Sequence, residues 1–100
     1  MTNPIATNNQ AGDIIYKALE ALQDRAACRD KPNGERSMAR AVKIFNAMTD
    51  ADLTETEGWK FMIALKLSRT EQGTFVMDDY IDLAGYAGLA GESHQNEASV

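Results

Sequence analysis

In Trp59-Lys60-Phe61-Met62-Ile63-Ala64-Leu65-Lys66-Leu67 every residue except Lys60 and Lys66 is apolar. A half-buried strand would alternate polar and apolar residues, and this run does not. Just upstream, Thr54 and Glu57 have the spacing of a capping box, which satisfies the free amides at a helix start. The segment therefore predicts a helix that is apolar on most of its circumference. Such a helix must be covered on several sides. It is the expected centre of the fold, with Lys60, Lys66 and Arg69 marking the part that reaches water or a buried acid.

The flanking sequence supplies the covering elements. From about Gly12 to Cys28, Ile14, Ile15, Ala18, Leu19, Leu22 and Ala26 recur at helical spacing, with Lys17, Glu20, Asp24 and Arg25 on the other side. Lys31-Pro32-Asn33-Gly34 reads as a turn, since proline cannot continue a helix. A second helix is expected over about Glu35 to Met48, with Met38, Ala41, Val42, Phe45 and Met48 on one face. Arg36, Arg40 and Lys43 line another face, either as a solvated stripe or as a patch for phosphate or an acidic partner.

After the polar loop Thr70-Glu71-Gln72-Gly73-Thr74, a fourth helix is expected from about Met77 to Ala90. Asp78 and Asp79 would favour its N-terminal dipole. Interior glycine costs about 1 kcal/mol relative to alanine. Gly85 and Gly88 therefore predict close backbone approach, with the small stripe Ala84, Ala87, Gly88 and Gly91 docked on the third helix. Residues 1–10 read as a flexible arm and 92–100 as a flexible tail. The expected architecture is all-α, a compact four-helix bundle-like single domain over residues 1–100 with a buried third helix.

One hundred residues suffice for one domain with a shared core. No apolar run approaches the roughly 20 residues needed to cross a bilayer, and Met1-Thr2-Asn3-Pro4-Ile5-Ala6 lacks the basic and apolar regions of a secretory signal. A soluble, cytoplasmic protein is expected. The net charge of −5 is unevenly spread. All ten Lys and Arg precede residue 70, whereas Glu71, Asp78, Asp79, Asp82, Glu92 and Glu97 follow it with no base among them. That balance disfavours direct nucleic-acid binding.

Several chemistries lack their residues. The single histidine, His94, stands far from any second histidine or cysteine, so neither a zinc site nor a histidine-activated nucleophile is indicated. Phosphate loops of the G-x-x-x-x-G-K-[ST] or G-x-G-x-x-G kind are absent. Cys28 stands between Arg25 and Arg29, either a small semi-buried residue or a thiol activated by those cations. Carboxylates at helical spacing remain, namely Asp78, Asp79 and Asp82 on the fourth helix and Glu20 and Asp24 on the first.

That carboxylate spacing resembles the all-helical MazG-type nucleoside triphosphate pyrophosphohydrolases, in which acids from two helices hold magnesium. The family's E-x-x-E/D pairs are not reproduced, because Glu20 and Asp24 are four apart. A second resemblance covers about residues 53–92. Lys66-Leu67-Ser68-Arg69 followed by Tyr80-Ile81-Asp82-Leu83-Ala84-Gly85-Tyr86-Ala87 is similar to an uncharacterised small helical domain of tailed phages and prophages. Its signature is K-L-x-R followed by W-I-D-I-A-G-Y-A, with Tyr80 here replacing the tryptophan. A structural ion pair between Asp82 and Lys66 or Arg69 is the expected physical content of that pattern.

The resemblance implies a phage or prophage origin in a bacterial host cell. The expected function is then binding of a host macromolecule, in the manner of an anti-CRISPR-like inhibitor that occupies the basic nucleic-acid-binding surface of a defence complex. The expected contacts are Asp50, Asp52, Glu55, Glu57, Glu71, Asp78 and Asp79, with no cofactor, no metal and no membrane partner. The alternatives are a magnesium-dependent nucleotide hydrolase and a homodimeric helical module joined through the first or second helix.

Overall fold

The computed structural model describes residues 10–28 and 37–99. They form α1 (Ala11–Cys28), α2 (Ser37–Thr49), α3 (Glu55–Thr70) and α4 (Met77–Ala98), with no strand among them. Nearly all of the expected arm, the Lys31-Pro32-Asn33-Gly34 turn, Arg36 and the side chain of Cys28 lie outside the described residues.

The capping box at the start of α3 forms in full. Extended Thr54 accepts the Glu57 amide on its hydroxyl at 3.1 Å, and the Glu57 carboxylate accepts the Thr54 amide at 2.9 Å. Caps of this kind each contribute about 1 kcal/mol. The turn before it is closed by Asn46, whose side-chain amide donates to the Leu53 carbonyl and accepts from the Leu53 amide, both at 3.0 Å. Asp50, just past α2, takes the left-handed conformation with φ 57°, which aspartate tolerates at a helix C-terminus better than most residues.

α3 is the middle element. It packs on α4 along one side and on α2 along another, while α1 lies on α4. Among the described residues α1 and α2 share no interface. The core is centred on Trp59, Leu89 and Ala90, with Leu22, Met38, Met62, Ile63 and Tyr86 around it. Trp59 stacks on Tyr86 with ring centroids 5.8 Å apart, and its indole N–H donates to the Glu55 carboxylate at 3.2 Å. A tryptophan can be buried here because its one polar atom has a partner.

Gly58 sets the α2–α3 approach. A Cβ built there would stand 2.6 Å from the Met38 sulfur and 2.8 Å from Cγ1 of Val42, so a larger residue requires those side chains or the helices to shift. The glycines of α4 have a different role from the expected one. Gly85 is buried towards Leu22 of α1, whereas Gly88 and Gly91 are exposed with nothing within 4 Å of a built Cβ. The stripe that meets α3 is Asp82, Tyr86, Leu89, Ala90, Ser93 and Glu97, whose spacings of three and four place them on one helix face.

α4 also continues to Ala98, where the sequence suggests a helix ending near Ala90 and a tail from 92. The extension is held by polar contacts that hydropathy does not register. The Thr56 hydroxyl donates to Glu97 at 2.8 Å and shares a 2.8 Å hydrogen bond with Ser93. With its own proton directed to Glu97, Thr56 accepts from Ser93.

Candidate functional site

The α3–α4 connection is built from the end of α3 outward. The Thr70 hydroxyl donates to the Leu67 carbonyl at 2.7 Å, and the amides of Glu71 and Gln72 bond back to Ser68 and Arg69. Gly73 then reverses the chain at φ 73°, a conformation open to glycine at no steric cost. Val76 is the extended N-cap of α4 and offers no side-chain acceptor. The carboxylates of Asp78 and Asp79 stand in the first turn instead, where the helix dipole favours them.

This path leaves large apolar side chains in water. Phe75 is 70 % exposed and Tyr80 42 %, and the two rings stack with centroids 6.0 Å apart at 26°. Val76 between them is also exposed. Glu71 and Asp78 are exposed and Asp79 is half-buried, so the aromatic pair belongs to an acidic segment. An exposed aromatic pair is the usual material of a binding hot spot, and its neighbouring carboxylates suit a basic partner.

The remaining acidic candidates lie at the other end of α3, on the order of 20 Å away at about 1.5 Å per residue. Asp50 and Asp52 are exposed in the α2–α3 turn. Glu55 accepts from Trp59, and Glu57 completes the capping box, so both have structural work within the chain. The seven expected contact residues are therefore two groups at opposite ends of one helix.

Asp82 stands apart from both groups. Its carboxylate lies 2.6 Å from Lys66 Nζ, with the lysine side chain 12 % and the aspartate 35 % exposed. Arg69 is exposed. Glu20 and Asp24 lie on the exposed side of α1. Among the described residues no three of His, Cys, Asp and Glu come together closely enough to hold a metal ion. The cleft between α1 and α4, which Arg25, Asp82 and Tyr86 help to line, has a volume of about 20 Å³, room for one water molecule. A larger groove of about 290 Å³ runs between α2 and α3 and is lined by apolar residues, with Phe45 and Phe61 among them.

Residues 13–94 match the family described as Domain of unknown function (DUF6378). The chain belongs to the DUF6378 family. The match runs from the first turn of α1 to the late turns of α4, so α1 and α2 are part of the DUF6378 unit as fully as the α3–α4 pair. It is wider than the resemblance over residues 53–92 suggests. No curated protein and no solved structure matches the chain. Among the described residues, no helix of this DUF6378 chain is long and apolar enough to cross a membrane.

Three residues of the candidate surface, Phe75, Val76 and Tyr80, are missed by a reading based on charge. The available signal was position: an aromatic and a β-branched residue directly after a polar glycine turn, outside any helical stripe.

Proposed function

We propose that this DUF6378 chain acts by binding another macromolecule through the α3–α4 connection and the start of α4, and that the partner presents a basic surface. The observation that carries this reading is the solvent-exposed Phe75–Tyr80 stack in a segment containing Glu71, Asp78 and Asp79. The rings supply apolar area that a partner covers, and the carboxylates steer a basic surface towards them. The absence of any Lys or Arg after residue 69 keeps this part of the sequence uniformly negative.

The finer form of the proposal is an inhibitor of a bacterial defence complex, of phage or prophage type, that occupies a basic groove built for nucleic-acid phosphates in the host cytoplasm. Its support is the charge asymmetry together with the resemblance to phage domains. The hydrolase alternative has less support, because Asp82, one of its three α4 acids, is already neutralised by Lys66.

Capture of bacterial lysate proteins on immobilised chain tests the proposal, with Glu71, Asp78 and Asp79 changed together to Lys as the comparison. The expected result is a captured protein with a basic nucleic-acid-binding surface, released by salt and lost with the triple change. Pyrophosphate release from nucleoside triphosphates with Mg²⁺, abolished by Asp82→Asn, would replace it with the enzymatic reading.

A further inference from the structure

We propose that the apolar face formed by α2 and α3 is covered by a second copy of this chain, related by a two-fold axis that sets α2 antiparallel to its mate. The starting point is that α2 has more apolar surface than α3 can cover. Val42 is buried, yet Ile44, Phe45 and Met48 are exposed, with Met48 at 77 %. At about 100° per residue, Met48 lies roughly 120° round the helix from Val42, so α2 carries a second apolar face directed away from α3. Phe61 of α3, 67 % exposed, and Leu53 of the turn continue that face. Between them lies the groove of about 290 Å³, with Met38, Val42, Gly58 and Met62 among its lining and the Phe45 and Phe61 rings beside them.

The area is that of an interface. Large apolar side chains present on the order of 200 Å² each when fully open. The exposed fractions of Ile44, Phe45, Met48, Leu53 and Phe61 therefore amount to on the order of 500 Å² per chain. Two such patches facing each other reach about 1,000 Å², the area that a specific interface clears. The interior of the single chain points the same way. Among the described residues the buried hydrophobic ones are Ala18, Val42, Trp59, Leu89 and Ala90, and no large side chain is fully buried. Covering the α2–α3 face would add apolar burial that the single chain leaves in water.

Charge selects the second copy as occupant. The N-terminal half of α2 carries Arg40, and its C-terminal end leads into Asp50 and Asp52, all three exposed. A uniformly basic or uniformly acidic partner would meet repulsion at one end. An antiparallel copy reverses sign along its length and meets attraction at both. With the axis at the level of Phe45, Arg40 and Asp50 are equally distant from it along the chain, and Arg40, one turn from Ile44 on the same side of α2, falls level with Asp50 of the other copy at the rim of the contact. A closed two-fold contact of this kind is self-complementary and ends at the dimer. It leaves the Phe75–Tyr80 surface, at the far end of α3, outside the contact.

Sedimentation equilibrium of the full chain tests this. The expected mass is twice the 11.0 kDa of one chain. Met48→Glu and Phe45→Glu should each shift it to monomer, and Leu19→Glu on α1 should not. Arg40→Glu should weaken the dimer roughly tenfold by placing like charges together, and adding Asp50→Asn, which removes one of those charges and keeps a residue that tolerates the left-handed backbone, should recover most of the loss. Both of those residues are exposed, so the pair carries the test even where Phe45→Glu fails to fold. A monomeric wild type at high concentration, a dimer broken by Leu19→Glu but not by Met48→Glu, or an Arg40→Glu defect that Asp50→Asn does not relieve would each overturn the proposal.

Discussion

Glu97, in the last turn of α4, accepts hydrogen bonds from both the hydroxyl and the amide of Thr56 in the first turn of α3, at 2.8 Å and 3.4 Å. A carboxylate from a distant helix thus serves an amide that α3 cannot satisfy internally, at the positive end of its dipole. Thr56 and Ser93 are buried, so their hydroxyls depend on this arrangement. Glu97→Ala should cost about 1–2 kcal/mol, the range for hydrogen bonds to a charged group that is partly exposed. Urea unfolding of Glu97→Ala, Thr56→Val and the double variant should give a coupling energy of about 1 kcal/mol. Additive losses would mean that the two residues act separately.

Gly58 and Gly88 should respond oppositely to alanine. At Gly88 the new methyl meets open space, so the helix gains up to about 1 kcal/mol and the melting temperature rises. At Gly58 the methyl enters space held by Met38 and the stiff side chain of Val42. Overpacking of about 1–3 kcal/mol outweighs the propensity gain, leaving a net loss of about 1 kcal/mol. Val42→Ala should remove most of the penalty of Gly58→Ala. Thermal unfolding of the three variants and the double variant decides the matter.

Lys66 and Asp82 join α3 to α4 at the same register as Thr56 and Ser93. Ten residues back along α3 correspond to eleven forward along α4. Because Lys66 is the more buried partner, Asp82→Asn should leave a poorly solvated ammonium and cost about 1–2 kcal/mol, less than for a fully buried pair. Lys66→Met, which keeps the packing of the stem and removes the charge, should cost less than Asp82→Asn. Equal losses in denaturant unfolding would place the stabilisation in the ion pair itself.

The parts of the fold that were legible in the sequence rest on repeated local signals. The apolar periodicity of α1 and α2, the Thr54–Glu57 cap and the dense apolar run of α3 each have a spacing that one helix explains. The end of α4 was not legible, because Ser93, Glu97 and Thr56 are all polar and their partnership spans 37 and 41 residues. The glycines misled for a related reason. Interior glycine signals close approach in general, but Gly58, within a helix start, meets one tight enough to crowd a Cβ, whereas Gly85, Gly88 and Gly91 do not. At the candidate surface the acids were visible as a run without bases, while the Phe75–Tyr80 stack depends on a turn geometry that composition does not encode.

The binding surface is tested most directly by removing its rings and keeping its charge. Phe75→Ala with Tyr80→Ala leaves the net charge of −5 untouched. Generic acidic attraction would therefore survive, whereas a contact anchored on the rings would not. Quantitative capture of the basic partner by wild type and by this double variant should show at least roughly tenfold less partner retained by the variant at equal salt, as for the loss of a hot-spot aromatic. Retention equal to wild type, with the helical content of the variant unchanged, would contradict the assignment of function to this surface.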